Sequence, residues 1–182
     1  SGNGHDGEVQ GATIINGHAQ FNGVNDVITS KCESLPQGKS PRTLSFWAKA
    51  TDIPKTTGAF MVSWSYGNFK GTGFGSYASA GNFHFYGHGN VEGISFIVGP
   101  ADENLHHHCI THNGKVINYY IDGENKKSSE VGDRNTSGSV LFVGARPDST
   151  RYFKGSIDEV RVYNRVLSAE EIKSLYDLGK LK

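Results

Sequence analysis

The sequence predicts an all-β fold, a sandwich of two antiparallel sheets with one short helix near its C-terminus. Three observations support this prediction. Short runs rich in Phe, Tyr, Val and Ile recur along the 182 residues. Asn-Gly and Asp-Gly pairs, which supply the positive φ angles of hairpin turns, separate these runs. A helical pattern with a clear start occurs only after residue 167. Strands spaced this closely indicate a sandwich or a barrel.

The strands are predicted between turn signals. Turns are expected at Asn16-Gly17, Asn22-Gly23, Gly81-Asn82, Asn113-Gly114 and Asp122-Gly123. The strand-like runs between and around them include residues 43–49, 59–64, 82–86, 115–121 and 141–144. Side chains alternate between the two faces of a strand, so Phe83 and Phe85 are expected to face the core. His84 and Tyr86 are then expected to face outward.

The closing segment predicts a strand that leads into a helix. Apolar residues alternate with polar ones over residues 157–162, which is typical of a strand. The helix is expected to begin after Ser168, because Glu171 follows three residues later and completes a capping box. Ile172 and Leu175 form the apolar stripe of this helix.

This strand and helix resemble the end of the laminin-G-like jelly-roll domains, which belong to the concanavalin A-like lectin and glucanase group. The resemblance continues upstream in the same order. It is carried by residues 21–28 (Phe-Asn-Gly-Val-Asn-Asp-Val-Ile), 43–49 (Thr-Leu-Ser-Phe-Trp-Ala-Lys), 106–123, which end in Tyr-Ile-Asp-Gly, and 141–144 (Leu-Phe-Val-Gly). It implies a concanavalin A-like jelly roll, with residues 1–182 as a single domain. This fold carries lectins, adhesion modules, carbohydrate-binding modules and enzymes.

One departure from the family concerns the start of the domain. Such domains usually begin with a further apolar strand that pairs beside the closing strand. In this sequence the resemblance begins after that strand, at residues 1–7 (Ser-Gly-Asn-Gly-His-Asp-Gly). We therefore expect an unusual neighbour or an open edge beside residues 157–162. Because an open sheet edge can pair with another chain, a homo-oligomer formed through this edge is one expected arrangement.

Charge and hydropathy patterns exclude two classes of partner. The chain carries 18 basic and 18 acidic residues without a basic tract, so nucleic acid is not expected. No apolar run approaches the ~18 residues that cross a bilayer, so membrane insertion is not expected. The sequon at residues 135–137 agrees with a secreted or extracellular protein. The two cysteines, Cys32 and Cys109, are expected to be free thiols.

The family resemblance also implies a structural calcium ion. Calcium takes carboxylate and carbonyl oxygens, and residues 22–26 form an Asn- and Asp-rich turn. By resemblance, Asp26 and Asp158 would join backbone carbonyls near Gly23 around one ion. The alternative is that Asp26 caps its turn while Asp158 pairs with a nearby arginine.

A run of histidines at residues 106–108 does not predict a zinc site. Neighbouring residues of a strand point to opposite faces, so His106 and His108 share one face and His107 faces away. Zinc needs three or four convergent ligands, which this arrangement does not supply.

The aromatic and histidine side chains of residues 64–88 predict a carbohydrate-binding surface. Sugars are held by aromatic rings and a few fixed polar groups. An outward Tyr beside an outward His offers a ring face and a hydrogen-bonding edge. The candidate ligand-binding residues are Trp64, Tyr66, His84, Tyr86 and Arg151. The alternative is that these aromatics only pack the second sheet.

The sequence shows no catalytic pattern. The related glucanases carry Glu-x-Asp-x-x-Glu on one strand, and this pattern does not occur here. Retaining glycosidases need two carboxyl groups about 5 Å apart, and no such pair stands out. The sequence therefore predicts a non-catalytic lectin or carbohydrate-binding module whose partner is an extracellular glycan or polysaccharide. Two alternatives stay open, a protein-binding adhesion or spacer module and a small polysaccharide lyase or hydrolase.

Overall fold

A computed structural model describes residues 6–65, 73–87, 95–131 and 135–180. Within these ranges the chain forms fourteen strands and one helix. The strands are β1 (Glu8–Gln10), β2 (Thr13–Ile15), β3 (His18–Asn22), β4 (Val27–Lys31), β5 (Arg42–Ala50), β6 (Ala59–Trp64), β7 (Phe74–Ser79), β8 (Asn82–Tyr86), β9 (Phe96–Pro100), β10 (Leu105–His112), β11 (Val116–Ile121), β12 (Glu124–Glu130), β13 (Val140–Val143) and β14 (Lys154–Tyr163). The helix is α1 (Ala169–Gly179).

The described strands form two antiparallel sheets of seven strands each. Sheet A has the order β1-β4-β13-β6-β7-β8-β9, and sheet B has the order β12-β11-β10-β5-β14-β3-β2. Tight turns join paired strands at four of the five predicted positions, whereas residues 22–23 lead from β3 of sheet B to β4 of sheet A. Asn16 and Gly17, for example, turn β2 into β3 with φ angles of 51° and 85°. The predicted all-β sandwich of jelly-roll type is confirmed.

The core lies between the two sheets, because each central strand is apolar on one side. Phe74 and Ala78 of β7 point inward, as do Phe83 and Phe85 of β8. The sides predicted for residues 83 and 85 are therefore confirmed. Trp64 at the end of β6 has no exposed surface and belongs to the same core.

A chain of polar groups crosses this core. The hydroxyl of Tyr119 lies 3.0 Å from His108 Nδ1 and 2.5 Å from Ser76 Oγ, and Ser76 donates to the His84 carbonyl over 3.1 Å. Since a carbonyl only accepts, all donors must point one way, from His108 to Tyr119 to Ser76. His108 Nε2 is then unprotonated, and it has no hydrogen-bond partner among the described residues. The chain ties β10 and β11 of sheet B to β7 and β8 of sheet A.

Helix α1 covers part of the outer face of sheet B. The Ser168 side chain accepts from the backbone N–H of Glu171, and the Glu171 carboxylate accepts from the Ser168 N–H, so the predicted capping box is confirmed. Tyr176 stacks on Trp47 of β5 at 5.7 Å, and Ile172 is fully buried. In the described part of the chain, no helix has the length and apolar character needed to cross a membrane.

The edge of β14 is open over its second half. Strand β3 pairs with β14 only from Lys154 to Ile157, and residues 161–163 pair with β5 alone among the described strands. A cavity of about 800 Å³ opens beside this edge. Its apolar lining includes Ile28, Leu141, Val143, Ile157, Val160 and Val162. The open edge expected from the sequence is therefore present in the described residues.

Candidate functional site

A row of ring side chains crosses the outer face of sheet A. The strand register places Phe60 of β6 opposite Tyr77 of β7, Tyr77 opposite His84 of β8, and His84 opposite Ile97 of β9. Because alternate residues of β7 and β8 fill the core, these side chains face outward. We call Phe60, Tyr77 and His84 the aromatic row.

The aromatic row is a stack. Phe60 and Tyr77 have ring centroids 5.1 Å apart at 14°, and Tyr77 and His84 have centroids 4.5 Å apart at 10°. Phe60 is only 2% exposed, whereas Tyr77 and His84 are half-buried. Both faces of Tyr77 are therefore covered, so Tyr77 offers solvent its ring edge and hydroxyl. The outer face of His84 ends the stack on the side of Ile97, which is 55% exposed.

His84 is a neutral hydrogen-bond acceptor at this surface. Its Nε2 lies 3.2 Å from the Ser79 carbonyl, which only accepts, so Nε2 carries the proton and Nδ1 is left as an acceptor. Burial lowers the pKa of His84, although the bond to Ser79 opposes this effect. The ring is therefore uncharged at neutral pH.

Arg151 lies beside the aromatic row. Its carbonyl accepts from the Phe60 N–H at 3.1 Å, and its side chain is exposed. Burial raises the pKa of Tyr77, and the Arg151 charge partly opposes this rise. Tyr77 therefore keeps its hydroxyl proton at neutral pH. The surface offers a hydroxyl, an imidazole acceptor and a guanidinium, which together can bind a polyhydroxylated ligand.

Two of the predicted ligand-binding residues, His84 and Arg151, lie at this surface. Trp64 does not, because it is fully buried between the sheets. Tyr86 faces outward as predicted, but the expectation that it is exposed is wrong. It is 3% exposed and packs edge-on against Phe60, with centroids 4.7 Å apart. Tyr66 lies outside the described residues.

Sequence reasoning missed the central position of Tyr77. The alternation of β7 contained the signal, since Phe74, Ser76 and Ala78 face inward and Tyr77 must then face outward. Its neighbours could not be predicted, because the register that sets Tyr77 between Phe60 and His84 is a property of three separate strands.

The predicted calcium ligands do not converge on one ion in the described residues. Asp26 is buried, and its Oδ2 accepts from the Asn22 N–H at 2.8 Å. Asp158 lies 3.0 Å from His18 Nδ1 and also accepts from the N–H of Glu159. The partner of Asp158 is therefore a histidine rather than the arginine of the alternative interpretation. Asp26 binds the last residue of β3 and Asp158 contacts the first, so the two carboxylates predicted to share an ion with Gly23 lie at opposite ends of that strand.

The histidine run divides between the faces of β10 as the sequence predicts. His108 points into the core between Phe46 and Phe83, while His107 points outward beneath α1 and contacts Ser45 at 2.8 Å. His106 bridges two carboxylates, with Nδ1 2.7 Å from Asp122 and Nε2 2.9 Å from Asp102. Across the described ranges, no three His, Cys, Asp or Glu side chains form a group suited to a metal.

Similar solved structures are binding domains of bacterial toxins. The binding domain of Paraclostridial Mosquitocidal Protein 1 is 20% identical with a TM-score of 0.75, and the match covers 98% of this chain and 48% of that one. The botulinum neurotoxin serotype G binding domain is 17% identical with a TM-score of 0.74, over 97% and 47% of the two chains. The serotype D ligand binding domain in complex with N-acetylneuraminic acid is 17% identical with a TM-score of 0.73, over 96% and 46%.

The chain thus spans about half the length of these structures, and at such identities the similarity concerns the fold. No curated relative matches the sequence. A family model, laminin G type 3 of the concanavalin A-like lectin/glucanases superfamily, matches residues 22–173. This match covers most of the chain and agrees with the two-sheet fold. The chain therefore belongs to the laminin G type 3 family of the concanavalin A-like lectin/glucanases superfamily.

Proposed function

We propose that this domain recognises a carbohydrate at the aromatic row, without catalysing a reaction. One observation carries the proposal: Tyr77 and His84 present a hydroxyl and an acceptor nitrogen side by side on the outer face of sheet A, and the charge of Arg151 lies close enough to act on Tyr77. Sugar sites combine ring surfaces with a few fixed polar groups of this kind.

The comparisons support the class of ligand. The superfamily of this chain is named for both lectins and glucanases, and one similar toxin domain is in complex with N-acetylneuraminic acid. The residues that hold that sugar are not transferred to this chain, since the match covers 46% of that domain. We also propose an extracellular setting, in agreement with the exposed Asn135 of the sequon.

Replacement of Tyr77 by Ala is expected to weaken glycan binding by roughly 1–3 kcal/mol, the scale of a binding hot spot. The change removes the hydroxyl and the ring against which His84 stacks. Titration calorimetry with a glycan selected on an array measures the effect, and circular dichroism verifies the fold. Tyr163→Ala, on sheet B, is the matched control and should bind as the wild type does. Equal glycan affinities of Tyr77→Ala and Tyr163→Ala would contradict the placement of the glycan site at the aromatic row.

A glycan array also separates the remaining alternatives. A lectin or carbohydrate-binding module retains particular glycans unchanged, whereas a lyase or hydrolase shortens them and releases unsaturated uronates or reducing ends. An adhesion or spacer module without sugar affinity retains none of them. We expect retention without release of new chain ends.

Protein binding is the second candidate function, and the open edge of β14 favours it. We propose that a strand of a second copy pairs with residues 161–163, since edges of this kind accept further strands. Ile14 lines the adjoining cavity and is 59% exposed.

We expect the wild type to dimerise with rising concentration in analytical ultracentrifugation and Ile14→Lys to stay monomeric. Ile97→Lys on sheet A is the control, and a wild type that is monomeric at every concentration would contradict this proposal.

We propose calcium binding at the turn of residues 22–26, apart from Asp158. This turn gathers the side-chain oxygens of Asn22, Asn25 and Asp26, and calcium prefers such oxygen ligands. Calcium is expected to raise the melting temperature of the wild type above its value in chelator. In the Asp26→Asn variant, the melting temperature in calcium should equal the melting temperature in chelator. A wild type that melts at the same temperature in both conditions would contradict calcium binding.

A further inference from the structure

The loop before β14 holds Arg151 in a defined position. Arg146 donates to Asp148 through Nε at 2.9 Å and through a second bond from Nη2, and Thr150 Oγ1 also donates to Asp148. The backbones of Arg146 and Thr150 pair as an isolated bridge, and the Tyr152 hydroxyl donates to the Ser149 carbonyl. The loop is therefore closed by its own hydrogen bonds.

Arg151 itself has an uncommon backbone conformation. Its φ is 55°, a region that residues other than glycine rarely occupy. The bond from the Phe60 N–H to the Arg151 carbonyl anchors this residue to the aromatic row. The backbone of Arg151 is thus fixed beside the aromatic row by both the loop and the sheet.

The two arginines of this loop differ in charge balance. Asp148 neutralises Arg146, and that arginine holds the pKa of the Asp148 carboxyl at about 2. Arg151 forms no ion pair with any described residue. One uncompensated guanidinium therefore lies close enough to act on Tyr77, on a face where a sugar can bind.

We propose that the ligand of the aromatic row is an acidic sugar whose carboxylate or sulfate group pairs with Arg151. A planar guanidinium matches either group with two parallel hydrogen bonds. The neutral part of the sugar ring then contacts Tyr77 and His84. This inference rests on the proposed carbohydrate recognition and adds the charge of the ligand.

The test uses an array of neutral glycans and their counterparts that carry sialic acid, a uronic acid or sulfate. Wild type is compared with Arg151→Asn and with Lys127→Asn, an exposed control on β12 of sheet B. Asn is chosen because it tolerates a positive φ and carries no charge. Acidic glycans should bind the wild type at least tenfold more tightly than their neutral counterparts, and Arg151→Asn should abolish that preference.

The outcomes separate this inference from the proposed function. Retention of carboxylated but not sulfated glycans, or the reverse, supports the inference and names the acidic group. Equal binding of acidic and neutral glycans that is lost in Tyr77→Ala overturns the inference and leaves the proposed function intact. An acidic preference that survives in Arg151→Asn also overturns it. Binding of no glycan on the array overturns both.

Discussion

Acidification from pH 7 to about pH 4 is expected to unfold this domain. The loss is caused by His107 and His108, which are 1% and 0% exposed. Burial lowers the pKa of His107 to about 4 and that of His108 to about 3. In an unfolded chain both side chains titrate near 6.5. Below that pH the unfolded state therefore binds protons that the folded state does not.

Proton linkage sets the sign and the size of this effect. A histidine whose pKa is lowered by folding has no effect on stability well above pH 6.5. As the pH falls from there toward the folded pKa, it removes about 1.4 kcal/mol per pH unit. Two such groups lower the free energy of unfolding by roughly 6 kcal/mol between pH 6.5 and pH 4. This loss is comparable with the ~5–15 kcal/mol that stabilises a typical domain.

The surroundings of the two histidines explain why protonation is unfavourable. His107 Nδ1 and His108 Nε2 have no hydrogen-bond partner among the described residues, so a second ring proton would meet no acceptor. His106 behaves in the opposite way, because its hydrogen bond to Asp122 raises its pKa. The stability gained from its protonation is largely in place by pH 6.5 and does not offset the loss at lower pH.

The free energy of unfolding in urea, measured at several pH values, checks this expectation. His108→Phe keeps a ring between Phe46 and Phe83 and removes one proton site. Its stability should therefore change with pH about half as steeply as that of the wild type between pH 6 and pH 4.5. His106→Gln is the control and should keep the wild-type slope. If the free energy of unfolding of His108→Phe changes with pH as steeply as that of the wild type, His108 is not a cause of the acid unfolding.

Replacement of Trp64 by Ala is expected to lower the free energy of unfolding by about 3–5 kcal/mol, as for other buried aromatic residues. The Trp64 ring has no exposed surface and packs against Phe74 with centroids 4.7 Å apart. The change leaves a cavity between the sheets and touches no group of the aromatic row. The glycan affinity of the folded protein should therefore be unchanged.

Chemical denaturation and calorimetry together measure both parts of this prediction. Trp64→Phe retains most of the ring and should lose less stability than Trp64→Ala. A stable Trp64→Ala protein that no longer binds glycan would show that Trp64 acts in recognition after all.

Local patterns in the sequence were sufficient for much of this fold. The capping box of Ser168 and Glu171 and the turn at Asn16 and Gly17 depend on neighbouring residues, and both are present. Alternation along β8 also assigned Phe83 to the core correctly. These features need no knowledge of what lies alongside in space.

The exposure of a side chain and the identity of its partner could not be predicted from local sequence patterns. Tyr86 faces outward, yet Phe60 of another strand covers it. Asp158 has arginines nearby in sequence but pairs with His18, which strand pairing of β3 and β14 brings close. A period of two assigns a side chain to one face of a strand. Whether that side chain meets solvent or a partner depends on sheet order and loop positions, which are non-local.

The polar chain that ends at the His84 carbonyl has a consequence for the strength of ligand binding. It fastens the backbone of β8 to the opposite sheet directly beneath the His84 ring, and the stack on Tyr77 holds the ring itself. Side chains that are already ordered lose little conformational entropy when a ligand arrives, and each mobile side chain would cost about 0.5–1.5 kcal/mol. The recognition surface is thus preorganised, and the unfolding that His107 and His108 cause in acid would also remove this advantage.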